Sequence, residues 1–266
     1  RDLIVTGVQT CALPILFNCT ICNVNMAKTG IYHVNIADGA IKQVAGGMYD
    51  FGKVAVAGDK LIALYRSMSQ PNEIVSVNPA NGEYVQISKE NEHLLSQIKM
   101  GKVEERWIKT VDKKDMHMWV VYPPDFDPAK KYPALLFCMG GPQGTLSQNW
   151  SYRWNFQLMA ANGYVVILPN RRGTSAFGQE WQDQISGDYI GLNMQDYIYS
   201  VNELKKESYI GKVGAVGASY GGYSIYYLAG IHKGLFSAFV AHAGIFNQEH
   251  MYMTTEELWF PQWDNG

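Results

Sequence analysis

Ser219 is the residue whose setting most clearly promises chemistry. It lies in Gly217-Ala218-Ser219-Tyr220-Gly221, a Gly-x-Ser-x-Gly sequence. In that pattern a serine sits on a strained strand-to-helix turn, because flanking glycines let backbone segments approach with no Cβ in the way. The turn lifts the hydroxyl above the sheet, and the new helix N-terminus favours negative charge developing beside it. The chemistry this supports is acyl transfer by attack on a carbonyl. Alone the pattern is weak: glycine and serine frequencies produce it in roughly one chain in ten of this length. Context separates it from a plain tight turn. The apolar run 213–216 leads into it and a helical stretch, 223–231, follows it. That is the strand–turn–helix setting the motif needs.

The elements that would position Ser219 are legible on either side. Residues 105–110 and 116–122 read as two strands joined by the polar turn Asp112-Lys113-Lys114, the second stopped by Pro123-Pro124. Residues 134–138, 164–168, 213–216 and 239–241 are short, continuous apolar runs. Such runs suit strands buried on both faces of a parallel sheet. Met116, Met118 and Trp119 read as strand core. Helical patterns separate the runs: 150–161, with Trp154, Leu158 and Ala161 on one face, and 194–204, followed by Lys205 and Lys206. Strand–helix alternation predicts an α/β domain with a parallel sheet and right-handed crossovers.

Ahead of this region lies an internal repeat. Residues 31–45 (IYHVNIADGAIKQVA) match 74–88 (IVSVNPANGEYVQIS) at an offset of 43, with Ile31 on Ile74, Val34 on Val77, Asn35 on Asn78 and Gly39 on Gly82. Each unit is two alternating strands around Asp38-Gly39 or Asn81-Gly82, a hairpin signal that predicts a type I′ turn. Two further strand-like runs, 53–57 and 60–65, hinge at Gly58-Asp59. Four strands in a period of this length predict β-propeller blades rather than a small antiparallel sandwich. The division expected is a partial propeller of one to two blades over 16–95 and an α/β domain over 96–266, with 90–102 as a polar linker.

The bulk composition excludes several classes. The chain has 266 residues, 47% hydrophobic and 17% charged, with a net charge of −2. This suits a packed core and offers no basic surface for nucleic acid. No apolar run reaches the roughly 18 residues of a spanning helix. Cys11, Cys19, Cys22 and Cys138 make no disulfide framework, and Cys19-x-x-Cys22 reads as two ordinary strand cysteines rather than a metal or redox half-site. There is no metal-ligand spacing, phosphate loop or dinucleotide fingerprint, so no cofactor is expected. Residues 1–15 (RDLIVTGVQTCALPI) resemble a translated sequencing adaptor and fit a signal peptide poorly. They are set aside from the fold reading, Cys11 with them.

Ser219-Tyr220-Gly221-Gly222-Tyr223 resembles the nucleophile segment of the prolyl oligopeptidase family of serine peptidases. Asn170-Arg171-Arg172-Gly173, Phe177-Gly178-Gln179-Glu180-Trp181 and Gly140-Gly141-Pro142 resemble that family in order and spacing. The tail, from Ala241-His242-Ala243-Gly244 to Thr255-Glu256-Glu257-Leu258-Trp259, is similar to its dipeptidyl-peptidase 5 and acylaminoacyl-peptidase branches. The resemblance covers roughly 16–266. It implies a propeller followed by an α/β-hydrolase domain, with Ser219 as nucleophile, and oxyanion donors from the N–H groups of Tyr220 and Gly141. Many relatives carry His or Tyr just before the loop's glycines. This chain has Met139, which cannot donate, so the backbone donor is favoured.

The order in this fold is Ser, Asp, then His. The resemblance puts the histidine well past Gly266 and the acid and base outside this chain, which is therefore expected to be inactive as it stands. His232, His242 and His250 are not expected to be the base, nor are Glu256, Glu257 and Asp264, read as loop residues, expected to be the acid. Phe246, Tyr252 and Trp259 are expected in an apolar pocket for the residue before the scissile bond, against the alternative of plain core contacts. Arg171 and Arg172 are expected to form ion pairs with Asp188 or Glu180 that pin their loop, against the alternative of a carboxylate or carbonyl clamp near the substrate.

Three functional classes follow. The first is a peptidase that releases dipeptides or blocked residues from short peptides, with the propeller gating access by size. The second is an esterase for small acyl esters, against which the repeat speaks. The third is a binding module on a degenerate hydrolase fold, against which the intact turn speaks. Family resemblance favours a periplasmic or cell-envelope location over cytoplasm, and leaves homo-oligomerisation open.

Overall fold

The structure is a computed structural model describing residues 16–18, 27–35 and 38–265. Cys11, Cys19, Cys22 and the adaptor-like head lie outside the described residues. The chain divides into two compact units, Arg1–Met100 with Ser147–Asn155 and Gly101–Leu146 with Phe156–Gly266.

The first unit is antiparallel. Strands β1 (Leu16–Asn18), β2 (Ile31–Val34) and β3 (Ile41–Ala45) form one sheet in that order. Strands β4 (Asp50–Ala57), β5 (Lys60–Ser67), β6 (Gln70–Val77) and β7 (Tyr84–Gln86) form a four-stranded meander, the make-up of a propeller blade. The repeat maps hairpin onto hairpin, since β2–β3 and β6–β7 stand 43 residues apart. Their loops share one bonding scheme. Gly39 N–H donates to Asn35 O and Gly82 N–H to Asn78 O, both at 2.8 Å. Asn35 N–H donates to Ala40 O and Asn78 N–H to Glu83 O, also at 2.8 Å.

The expected type I′ turn is not what forms. That turn needs positive φ at both central residues, but only the glycines have it, Gly39 at +72° and Gly82 at +75°. The loops are longer, with Asp38 Oδ1 accepting the Ala40 N–H and, at the equivalent position, Asn81 Oδ1 accepting the Glu83 N–H. By contrast Gly58-Asp59 is a two-residue connection, with Ala57 paired to Lys60 and Gly58 at φ +61°. Ile31, Phe51, Leu61, Val75 and Val77 form this unit's core. The segment 90–102 is not uniformly extended, because α1 (Glu92–Leu95) makes one turn within it.

The second unit is a six-stranded mixed sheet. Its strands are β8 (Val103–Lys109), β9 (Asp115–Val121), β10 (Tyr132–Cys138), β11 (Val165–Pro169), β12 (Ile210–Ala218) and β13 (Ala238–His242). Their spatial order is β13-β12-β10-β11-β9-β8, with β10 to β13 mutually parallel and β8 and β9 antiparallel at one edge. Its helices are α2 (Phe156–Ala161), α3 (Gln179–Asp183), α4 (Leu192–Leu204), α5 (Tyr220–Ile231), α6 (Gln248–Thr254) and α7 (Trp259–Asn265). Helix α4 packs on β8, β10 and β11, and α5 on β10, β12 and β13. This is the α/β-hydrolase arrangement. All residues of β11 are buried, and Met116, Met118 and Trp119 of β9 are fully so.

Two expectations are corrected here. The helix read over 150–161 starts only at Phe156. Residues 147–155 belong to the other unit, where Ser147 Oγ donates to Asp50 and Met68 N–H to Gln148. Ser151 Oγ then accepts the Arg153 and Trp154 N–H groups, a local turn that competes with helix. Strand β13, read as a run buried on both faces, pairs among the described residues with β12 alone, and Ala238, Val240 and His242 are exposed. Among the described residues no helix is long and apolar enough to cross a membrane.

Candidate active site

Two loops leave the same edge of the sheet side by side. Strands β10 and β12 are parallel neighbours with Cys138 in register with Gly217. The turn after β12 carries Ser219 and the loop after β10 carries Gly140 and Gly141. Open α/β sheets place their ligands at this carboxyl edge.

Ser219 is the N-cap residue of α5, with φ +57° and ψ −123°. A non-glycine residue there is strained, and strain of this kind persists only where the surroundings over-determine it. Here they do. Ser219 N–H donates to His242 O at 3.0 Å, and its carbonyl accepts the Tyr223 N–H at 3.0 Å. The glycines around it leave no room for a side chain. A Cβ on Gly221 would lie 2.1 Å from Cys138 O, one on Gly217 2.5 Å from Gly221 O, and one on Gly222 2.6 Å from the Gly244 Cα. All three obstacles are backbone, so strands β10, β12 and β13 close onto the first turn of α5. The Ser219 side chain itself is exposed.

The glycine loop lies against the serine. A Cβ on Gly140 would come within 2.6 Å of Ala218 O and 3.5 Å of Ser219 Cβ. Gly141 follows at φ +63°, with open space where a side chain would stand. Its carbonyl accepts the Gly144 N–H at 2.9 Å, closing a tight turn.

Beneath these loops the packing is dense and polar. Tyr220 is buried. Its hydroxyl donates to Tyr189 O at 2.9 Å and accepts from Asn193 Nδ2, and burial pushes its phenol up to about 12. Buried Asn170 joins Leu146 N–H and O to His117 Nδ1. Burial also pushes the Cys138 thiol well up, which fits an inert core cysteine.

The expected arginine pairings are wrong in their partners. Arg172 donates to Asp196 at 2.8 and 3.0 Å and to Asp112 at 2.8 Å. These bonds hold the Asp112 carboxyl well below the usual carboxylate range, the Arg172 hydrogen bond being the largest cause. Glu180 instead meets Lys114 at 2.7 Å from the exposed side of α3. Arg171 makes no ion pair with any described carboxylate. Its Nε donates to Tyr197 Oη, and its Nη1 to Pro142 O and Arg172 O.

Other singled-out residues scatter. Phe246, Tyr252 and Trp259 are 84%, 40% and 63% exposed. None is core: Phe246 follows β13 against the Tyr226 ring, Tyr252 is on α6 and Trp259 opens α7. His232 caps the far end of α5, roughly 20 Å along the helix from Ser219. His242 ends β13 and His250 lies on α6 rather than in a loop. Glu256 and Glu257 are exposed between helices. Asp264 is not a loop residue. It lies on α7, buried, and accepts from Tyr189 Oη at 2.6 Å and from Gln143 Nε2. Its contacts come from segments 75 and 121 residues away, so nothing local in the sequence marks it. No described side chain hydrogen-bonds Ser219 Oγ.

Residues 150–266 match the family model described as Prolyl oligopeptidase family. The chain is 50% identical over 242 residues to a dipeptidyl-peptidase 5 of Porphyromonas gingivalis, covering 90% of this chain and 35% of that protein. It is 35% identical over 198 residues to a dipeptidyl-peptidase 5 of Schizosaccharomyces pombe, covering 71% of this chain and 29% of that protein. The chain thus spans about a third of the length of the curated relatives it matches. Among solved structures, an acylaminoacyl peptidase of Pyrococcus horikoshii superposes with a TM-score of 0.85 at 22% identity, over all of this chain and 42% of that one.

Proposed function

From a chain that belongs, through residues 150–266, to the prolyl oligopeptidase family, we propose a serine peptidase that cleaves short peptides through an acyl-enzyme and releases dipeptides. The observation that carries the proposal is the strained Ser219 turn beside the Gly140-Gly141 loop. The similarity to two dipeptidyl-peptidase 5 enzymes supports dipeptide release.

In this reading Ser219 Oγ attacks the scissile carbonyl and its proton passes to a histidine. The carbonyl oxygen becomes an oxyanion held by the Tyr220 and Gly141 N–H groups. Collapse expels the amine leaving group, which takes that proton, and leaves an ester on Ser219. Water then hydrolyses the ester by the same steps in reverse. The histidine and its orienting acid are proposed to come from outside residues 1–266. Phe246, Tyr252 and Trp259 are proposed to bind the residue before the cleaved bond.

The test compares the full-length protein with its Ser219→Ala variant on fluorogenic dipeptidyl and N-acylaminoacyl substrates. Dipeptide release by the wild type and its disappearance in the variant are expected. A variant as active as wild type overturns the proposal, and preferential release of acylated single residues moves it to the acylaminoacyl subclass.

A further inference from the structure

Arg171 is wholly buried, yet no described carboxylate lies within ion-pair reach and its Nη2 has no hydrogen-bond partner. A buried cation with no carboxylate in direct contact is costly, although the Asp196 carboxylate still feels its charge. Its contacts converge instead on the two loops that flank Ser219. Nη1 donates at 2.9 Å to the carbonyl of Pro142, the residue after Gly141. The guanidinium lies 4.8 Å from the centroid of the Tyr220 ring and 5.6 Å from that of Tyr197. Nε donates to Tyr197 Oη at 2.9 Å, anchoring the group to α4. A planar cation stacks well on aromatic faces and donates in fixed directions, which a lysine ammonium cannot do.

We propose that Arg171 is a positioning residue: one guanidinium braces the Gly141 loop through Pro142 and the Tyr220 segment through its ring, fixing the spacing of two backbone donors. This rests on the reading of Tyr220 and Gly141 as oxyanion donors. The braced donors meet an oxyanion that develops only in the transition state, so loss of the brace should lower kcat and leave substrate binding alone.

The experiment uses the full-length protein with Arg171→Met, Arg171→Lys and, separately, Ser219→Ala. For Arg171→Met, kcat should fall about 10- to 100-fold, a fraction of what losing a whole donor costs, with KM within about twofold. Affinity for a peptide aldehyde, whose adduct with serine carries the tetrahedral oxygen, should fall by the same factor, while affinity for the dipeptide product stays level. Arg171→Lys keeps the charge without the fork and should fall between the two. The brace is overturned if Arg171→Met keeps wild-type kcat, if its loss appears in KM, or if aldehyde affinity is unchanged. Should Arg171→Met fail to fold, Arg171→Lys decides by the same two readouts. Retained hydrolysis in Ser219→Ala sinks the acyl-enzyme reading itself, whereas an inactive Ser219→Ala beside an unaffected Arg171 variant sinks the brace alone.

Discussion

Gly221→Ala is the most informative single change. The new methyl carbon would lie 2.1 Å from Cys138 O, 3.0 Å from Cys138 C and 3.2 Å from Met139 C. A carbon and a carbonyl oxygen need roughly 3.3 Å, so the end of β10 must retreat by about 1 Å. Overpacking on that scale costs about 1–3 kcal/mol. Alanine's better helix propensity returns about 1 kcal/mol, for a net loss of up to about 2 kcal/mol. The larger effect falls on chemistry, because Cys138 leads directly into Met139 and the glycine loop. A displacement near 1 Å at a catalytic constellation costs about a hundredfold in rate. Gly230→Ala, in the same helix with open space around its Cβ, is the control and should gain about 0.5–1 kcal/mol. Urea unfolding, peptide hydrolysis and the rate of fluorophosphonate labelling of Ser219 would be measured on both variants. If Gly221→Ala unfolds at the wild-type midpoint and labels at the wild-type rate, the close approach of β10 to α5 does not govern the site.

Two other outcomes are expected. Asp112→Asn should cost about 1 kcal/mol at pH 7, a modest figure because the Asp112 side chain is 34% exposed and solvent screens the pair. The folded-state pKa of Asp112 is depressed. Its contribution is therefore fully present above the unfolded value of about 4 and is lost progressively below it, as pH falls toward and through the depressed folded-state value. The gap between the unfolding midpoints of the two proteins should hold from pH 7 to about pH 5 and narrow as pH falls below about 4, and a gap that stays constant through that acid range would refute the assignment. Phe246→Ala and Trp259→Ala should leave stability within about 0.5 kcal/mol, as both are exposed, while KM for peptides rises. An unchanged KM removes them from the pocket.

Much of the α/β sheet could be read directly because burial writes itself into composition. Strands β9 to β12 are apolar on both faces, and an apolar run too short for a buried helix fits little but a strand covered on both sides. The Ser219 turn was legible for a backbone reason: the positions around it admit only glycine, so spacing alone carried the geometry. The repeat was visible because the same loop bonding recurs on the same residue types. What escaped was whatever depends on distant partners. Arg172 meets Asp112 across 60 residues and Asp196 across 24, while the nearer candidates Asp188 and Glu180 were more obvious and wrong. Residues 150–155 carry Trp150 and Trp154 four positions apart, but they group with the other unit, and the Ser151 turn replaces the helix there. The Asp-Gly signal located a hairpin without fixing its loop length. Asp264 read as a loop residue and is a buried acceptor on α7.

The chain leaves the α/β unit at Leu146 and re-enters it at Phe156. That unit is therefore discontinuous along the polypeptide, and no single cut separates the two bodies cleanly. A segment beginning at Gly101 would still carry Ser147 and Gln148, stripped of Asp50 and Met68. Dissecting the protein into parts thus requires replacing 147–155 with a short bridge as well as choosing an N-terminal boundary.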